Sequence, residues 1–167
     1  MIPTRCRWIL LGLLLALLPV GGRLCAEPTK PAKADRDAAK AVCMVLQEGH
    51  LLRRSVDDQM SRRLYRRFLD AFDPFKLFFL EGDVMEFAGF ETLLDDLVTE
   101  GDLDFPYLVY RRFLKRLETR IGWALADARG PHDWAKEERL IVDADATVWA
   151  KGDEEARERW RVRIKHE

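Results

Sequence analysis

The chain has 167 residues, 48% of them apolar and 34% charged, and its 28 basic and 29 acidic side chains nearly cancel. That length holds one ordinary domain with a real core, about 140 residues once an export leader is removed. The charge balance excludes a whole-molecule field that would draw the chain to nucleic acid or to an anionic membrane surface, so partners are recognised by local patches.

Arg5 and Arg7, followed by the apolar run from Ile9 to Val20, read as an export signal of signal-peptide rather than membrane-spanning length. Cleavage after Ala26, with Leu24 two positions earlier, is favoured over cleavage after Gly22. This gives residues 1–26 as a signal peptide and predicts a periplasmic or secreted product without a stable membrane span. Acylation at Cys25 is disfavoured because Arg23 and Leu24 occupy positions that need small side chains, and an uncleaved membrane anchor is the other lesser alternative. Cys6 and Cys25 leave with the leader, so Cys43 remains as the one thiol and no intramolecular disulfide is expected. Beside Met44 and Val45, Cys43 reads as a small buried hydrophobe. Residues 27–34, rich in Pro, Ala and Lys, have nothing to bury and are predicted as a disordered linker.

Helical signals begin at Asp35, where Ala38, Ala41 or Val42, Val45 and Leu46 place an apolar stripe on a first helix that ends near Gly49. Ser55 with Asp58 resembles a capping pair for the second helix. There Leu64, Phe68, Leu69 and Phe72 share one face, with Arg62, Arg63, Arg66, Arg67 and Asp70 opposite, and Asp73-Pro74 supplies a hard stop. The following Phe75, Leu77, Phe78, Phe79 and Leu80, interrupted by Lys76, are too aromatic to be left in water and predict a plug folded into the core.

Asp83 with Glu86 reads as a capping box opening a third helix, striped by Phe87, Phe90, Leu94 and Leu97 or Val98 and stopped by Gly101. Asp104 and Pro106 suit the first turn of the longest helix, whose stripe is Tyr110, Phe113, Leu114, Leu117, Ile121, Ala124, Leu125 and Ala128, with Gly130-Pro131 as its end. From Pro131 to Gly152 the periodicity fades, and Leu140, Ile141 and Val142 fit a strand, a tight turn or a buried extended piece. A last helix from Asp153 spaces Ala156, Trp160 and Ile164 four apart and meets no break before Glu167, so the chain reads as stopping inside an element. The expected architecture is all-α, an irregular bundle of about five helices over residues 35–167. Tyr65 to Leu69 echoes in Tyr110 to Leu114, but one pair without a third copy reads as convergent helix design.

No reaction centre is predicted: no catalytic, cofactor-binding or metal-ligating residue is assigned. The two serines, Ser55 and Ser61, read as a helix cap and an exposed early helix position rather than nucleophiles. His50, His132 and His166 stand at no ligand spacing, and adjacent carboxylates (Asp57 and Asp58, Asp95 and Asp96, Glu137 and Glu138) diverge by about 100° on a helix. The arginines at 62–67 and 111–120 are read as pairing with neighbouring Asp and Glu, or with acidic patches on an adjoining domain, rather than with nucleic acid.

Ser61, Leu64, Phe68, Leu69, Asp70, Ala71, Asp73, Pro74, Phe79, Leu80 and Asp83 resemble, in order and spacing, the N-terminal helical domain of the tail-specific proteases, or C-terminal processing peptidases. Further blocks follow in the same order: Leu94, Asp95 and Asp96; Gly101, Asp102 and Leu103; Arg112, Phe113 and Arg116; Trp149, Ala150 and Lys151; and Trp160, Arg161, Arg163 and Lys165. The resemblance covers roughly residues 43 to 167. It departs from the pattern in Phe68 and Phe113, where tyrosine is common, in Leu51 after His50, where an aromatic is usual, and in Gly89, which weakens the third helix by roughly 1 kcal/mol relative to alanine.

The resemblance implies a non-catalytic platform. It would pack against a PDZ module and a serine/lysine protease domain, on a longer chain or a separate polypeptide, in an enzyme that processes extracytoplasmic proteins from apolar C-terminal tails without a cofactor. Unfolded protein substrates or an adaptor protein are further implied partners. The alternative is a free-standing secreted module for protein–protein interaction.

Overall fold

The computed structural model describes residues 30–49 and 57–167. The expected signal peptide and residues 27–29 of the expected linker, with His50, Leu51 and Ser55, lie outside the described residues. Among those described, the architecture is six α-helices and no strand: α1 Lys33–Gly49, α2 Asp58–Phe72, α3 Glu81–Phe87, α4 Leu94–Glu100, α5 Asp104–Ala128 and α6 Asp153–His166. None is long and apolar enough to cross a membrane. Helix α1 starts at Lys33, inside the expected linker.

Three further boundaries differ from the sequence reading, each for a local reason. The cap of α2 is Asp57, whose carboxylate accepts the Met60 amide at 3.0 Å, so the Ser55 pairing with Asp58 is not the start. Asp83 does not open α3 but stands at its third position and accepts the Leu80 amide at 2.9 Å, while Glu86 turns to Arg112. The single helix expected from Asp83 to Gly101 is two. A 3-10 turn over Ala88–Phe90 breaks it at Gly89, which favours helix less than any residue but proline, and the break lets Phe87, Phe90 and Leu94 reach one core from two directions. This split is why six helices stand where about five were expected.

The core is an aromatic cluster of Tyr65, Leu69, Phe79, Phe87, Leu94, Phe105 and Val109. Its rings meet edge-on or tilted, with Phe79 and Phe87 5.7 Å apart and Phe87 and Phe105 6.3 Å apart, the arrangements that ring quadrupoles favour. The predicted plug is real in Phe79 and Leu80, which are buried, whereas Phe75 remains at the surface. Asp73 shapes it: its buried carboxylate accepts the amides of Leu77, Phe78 and Phe79 at 2.6, 3.1 and 3.0 Å. Burial pushes this carboxyl's pKa up, and the three amides oppose that without cancelling it. The turn holds Lys76 at φ 53°, a left-handed conformation that a side chain rarely adopts.

Gly101 ends α4 at φ 73°, where a Cβ would lie 2.5 Å from Cε of Lys40 and 3.1 Å from the Arg36 carbonyl oxygen. Left-handed geometry and the close passage of α1 both require glycine there.

Behind the core, α6 packs along α5. Leu80 and Ala150 form an isolated parallel bridge, and the Glu81 amide donates to the Ala150 carbonyl at 2.9 Å. Apart from that bridge, the chain between α5 and α6 forms neither helix nor strand.

Candidate functional site

The apolar stripe expected on α5 packs on the core through Tyr110 and Phe113, but the second half of the helix buries a different face. Ile121 and Leu125 of the expected stripe are 50% and 52% exposed, while Arg120 is wholly buried and Arg116 and Arg112 follow it along the inner face. The reason lies in two carboxylates in the first turns of other helices, where the helix dipole also favours negative charge: Asp83 of α3 and Asp153 of α6. Asp83, 2% exposed, accepts from Arg116 at 2.8 and 3.0 Å and from Arg112. Burial alone would raise its pKa, but Arg116, the Leu80 amide and Arg112 outweigh burial and hold it below the ordinary range. Arg120 donates to Asp153 at 3.2 Å and to the Phe78 carbonyl at 3.1 Å, with its guanidinium 4.2 Å above Trp123. The sequence reading paired these arginines with acids but did not place them inside the fold.

Ser61, read as exposed, is buried; its hydroxyl accepts the Leu94 amide at 2.8 Å and staples α2 to α4. Cys43 is buried as expected. Asp95 is buried while Asp96 is exposed, which corrects the solvated reading for one of that pair. Glu138 is corrected likewise: its side chain is 7% exposed and takes Lys165 at 2.9 Å, Lys136 at 3.0 Å and Arg161. Those cations pull its pKa far below the usual carboxylate value. His132 packs against Trp134 at 5.4 Å, and His166 is exposed at the end of α6. Among the described residues no group of His, Cys, Asp and Glu is placed to hold a metal ion.

What the surface offers is apolar and of two kinds. Convex helix faces form the first: Val42, Val45 and Leu46 of α1 are 57%, 68% and 41% exposed, and Ile121 with Leu125 adds a patch on α5. The stripe expected on α1 exists, but only its neighbour Cys43 is covered. The second is a groove between the 75–77 turn, the 139–148 segment and α6, lined by Phe75, Leu77, Leu140, Ile141, Val148 and Val162 and rimmed by Arg139, Arg159 and Arg163. Leu140 to Val142 is therefore neither strand nor core; Ile141 and Val142 are 58% and 72% exposed.

Trp160 and Lys165, from the last of the resemblance blocks, and Lys76 of the plug hold the walls of this groove. Trp160 donates its indole N–H to the Leu77 carbonyl at 2.9 Å, Lys165 donates to the Lys136 carbonyl at 2.7 Å, and Lys76 donates to the Ala144 carbonyl at 3.0 Å beneath Trp149. An all-helical module with apolar residues left exposed is thus the class of protein these contacts define.

Comparison with known proteins gives the particular kind. Residues 42–167 match the family model of the tail specific protease N-terminal domain, and the chain belongs to that family. It is 24% identical over 131 residues to the tail-specific protease of Haemophilus influenzae, a stretch that covers 78% of this chain and 19% of that protein. The chain thus spans about a fifth of the length of this curated relative.

Proposed function

We propose that this chain is the non-catalytic docking platform of an exported tail-specific protease, packing through its convex apolar faces against PDZ and serine/lysine protease domains carried on the same or a separate polypeptide. The complete enzyme would process extracytoplasmic proteins from apolar C-terminal tails, and the 1–26 leader pattern supports delivery to the periplasm. One observation carries the docking role: Val42, Val45 and Leu46 stand in water on a helix whose opposite side already packs on α4. Apolar residues in a contiguous exposed patch mark an interface.

The test is co-expression with the polypeptide encoded immediately downstream, followed by affinity purification. Co-purification is expected, and its loss in the Val45→Asp, Leu46→Asp double variant, with far-UV circular dichroism unchanged. Cleavage of an unfolded substrate with an apolar tail by this chain alone would overturn the platform reading.

A further inference from the structure

The groove beside α6 differs from the convex faces in shape and in charge. Its floor is apolar, with Phe75, Ile141 and Val148 37%, 58% and 67% exposed. Its rim carries uncommitted positive charge. Arg139 is exposed and forms no ion pair or hydrogen bond among the described residues, and Arg163 lies over the Phe75 ring at 5.5 Å with only a 3.9 Å contact to exposed Glu167. The one acid on the rim, Glu158, is held by Arg161 at 2.7 Å and does not neutralise them. Along the same edge, residues 139–142 belong to no helix or strand and make no backbone hydrogen bond among the described residues, which leaves amide and carbonyl groups open to a neighbouring chain.

From this juxtaposition we infer that the groove binds an extended segment of a separate protein in which apolar and acidic side chains alternate. Apolar side chains enter the floor, carboxylates meet Arg139 and Arg163, and the peptide backbone pairs with the 139–142 edge. A strand presents alternate side chains to opposite sides, which suits a floor of one character and a rim of another. Permanent intramolecular packing favours larger and more uniformly apolar contacts, like the faces of α1 and α5, whereas a small groove with a charged rim fits a partner that binds and leaves.

The experiment measures fluorescence anisotropy of labelled nonapeptides against the purified chain: one alternating Val and Glu, one alternating Val and Lys, and one alternating Gly and Glu. The Val/Glu peptide should bind at least about tenfold more tightly than either control, since a like-charge contact or a lost apolar contact each costs more than about 1.4 kcal/mol. Arg139→Glu should erase the preference over Val/Lys, and adding Arg163→Glu should reverse it. Ile141→Asp should weaken binding of the Val/Glu peptide.

Because Arg139 and Ile141 are exposed, these single variants keep the test interpretable even where Arg163→Glu disturbs α6. No binding of Val/Glu, equal binding of Gly/Glu, or an unchanged preference in Arg139→Glu would overturn the inference. The Val45→Asp, Leu46→Asp variant should bind the peptide as the parent does, which separates this groove from the docking faces.

Discussion

The two ends of the molecule are held by different physics. In front, α2, α3, α4 and the first half of α5 enclose interlocked rings, and three of the buried polar groups there are tied to a backbone or a counter-charge: Ser61 to Leu94, Asp73 to the plug amides, Asp83 to two arginines. At the rear, the 131–149 segment has no regular structure and is held by a few side chains that reach across to it, chiefly Lys165 and Arg161 on Glu138 and Lys76 on Ala144. A closely packed interior resists partial opening because every atom removed leaves a void, whereas a few polar clamps can release one segment at a time. The groove is built on the part that can release.

If the front is one unit, its buried charge is the place to break it. Asp83→Ala leaves Arg112 and Arg116 facing an empty, partly buried site and removes the Leu80 amide's acceptor, so a loss of about 3–5 kcal/mol is expected in urea titration. The sign of the pH dependence follows from the depressed carboxyl. Its contribution is fully present above the ordinary value of 3.8 and is lost as pH falls through the lower folded value, so the parent should weaken in acid and Asp83→Asn should weaken less over the same range. Equal acid slopes in parent and variant would remove Asp83 as the source.

The sequence made much of this legible, and its failures share a cause. Helix periodicity, the Asp73-Pro74 stop, the plug and the Gly101 end were all readable because each depends on local geometry or local hydrophobicity. The inner face of the second half of α5 was not, because periodicity counts Ile121 and Leu125 as inside and arginine as outside, and only the distant Asp83 and Asp153 reverse that. Ser61 was misread for the same reason, since its partner amide lies 33 residues away. The open apolar groove could not be foreseen from Leu140, Ile141 and Val142, whose exposure depends on what the rest of the fold leaves uncovered.

A smaller effect probes how the front is joined internally. Ser61→Ala removes the acceptor for the buried Leu94 amide and should cost about 1–3 kcal/mol, the range for leaving one buried donor unsatisfied. Hydrogen exchange should place the loss at both helices: α2 and α4 should lose protection together if they form one cooperative unit, and protection lost in α4 alone would divide the front in two.

The smallest global effect, and the sharpest contrast, belongs to the rear. Glu138→Gln keeps the shape of the side chain but removes the charge that Arg161, Lys165 and Lys136 share. The thermal midpoint of the core should barely move, since none of those groups touches the aromatic cluster. Trypsin cleavage after the exposed Arg139 should nevertheless accelerate under native conditions, because proteolysis at a locally opening segment follows the population of the open form. In the parent, amide exchange in the 131–149 segment should likewise speed up relative to the core, after correction for the intrinsic pH dependence of exchange, as pH falls below the ordinary carboxyl value of 4.5 toward the much lower folded one and protonation of Glu138 removes the clamp. A fall in the core's midpoint that matches the rise in cleavage would instead mean that rear and front unfold as one, and the comparison would fail.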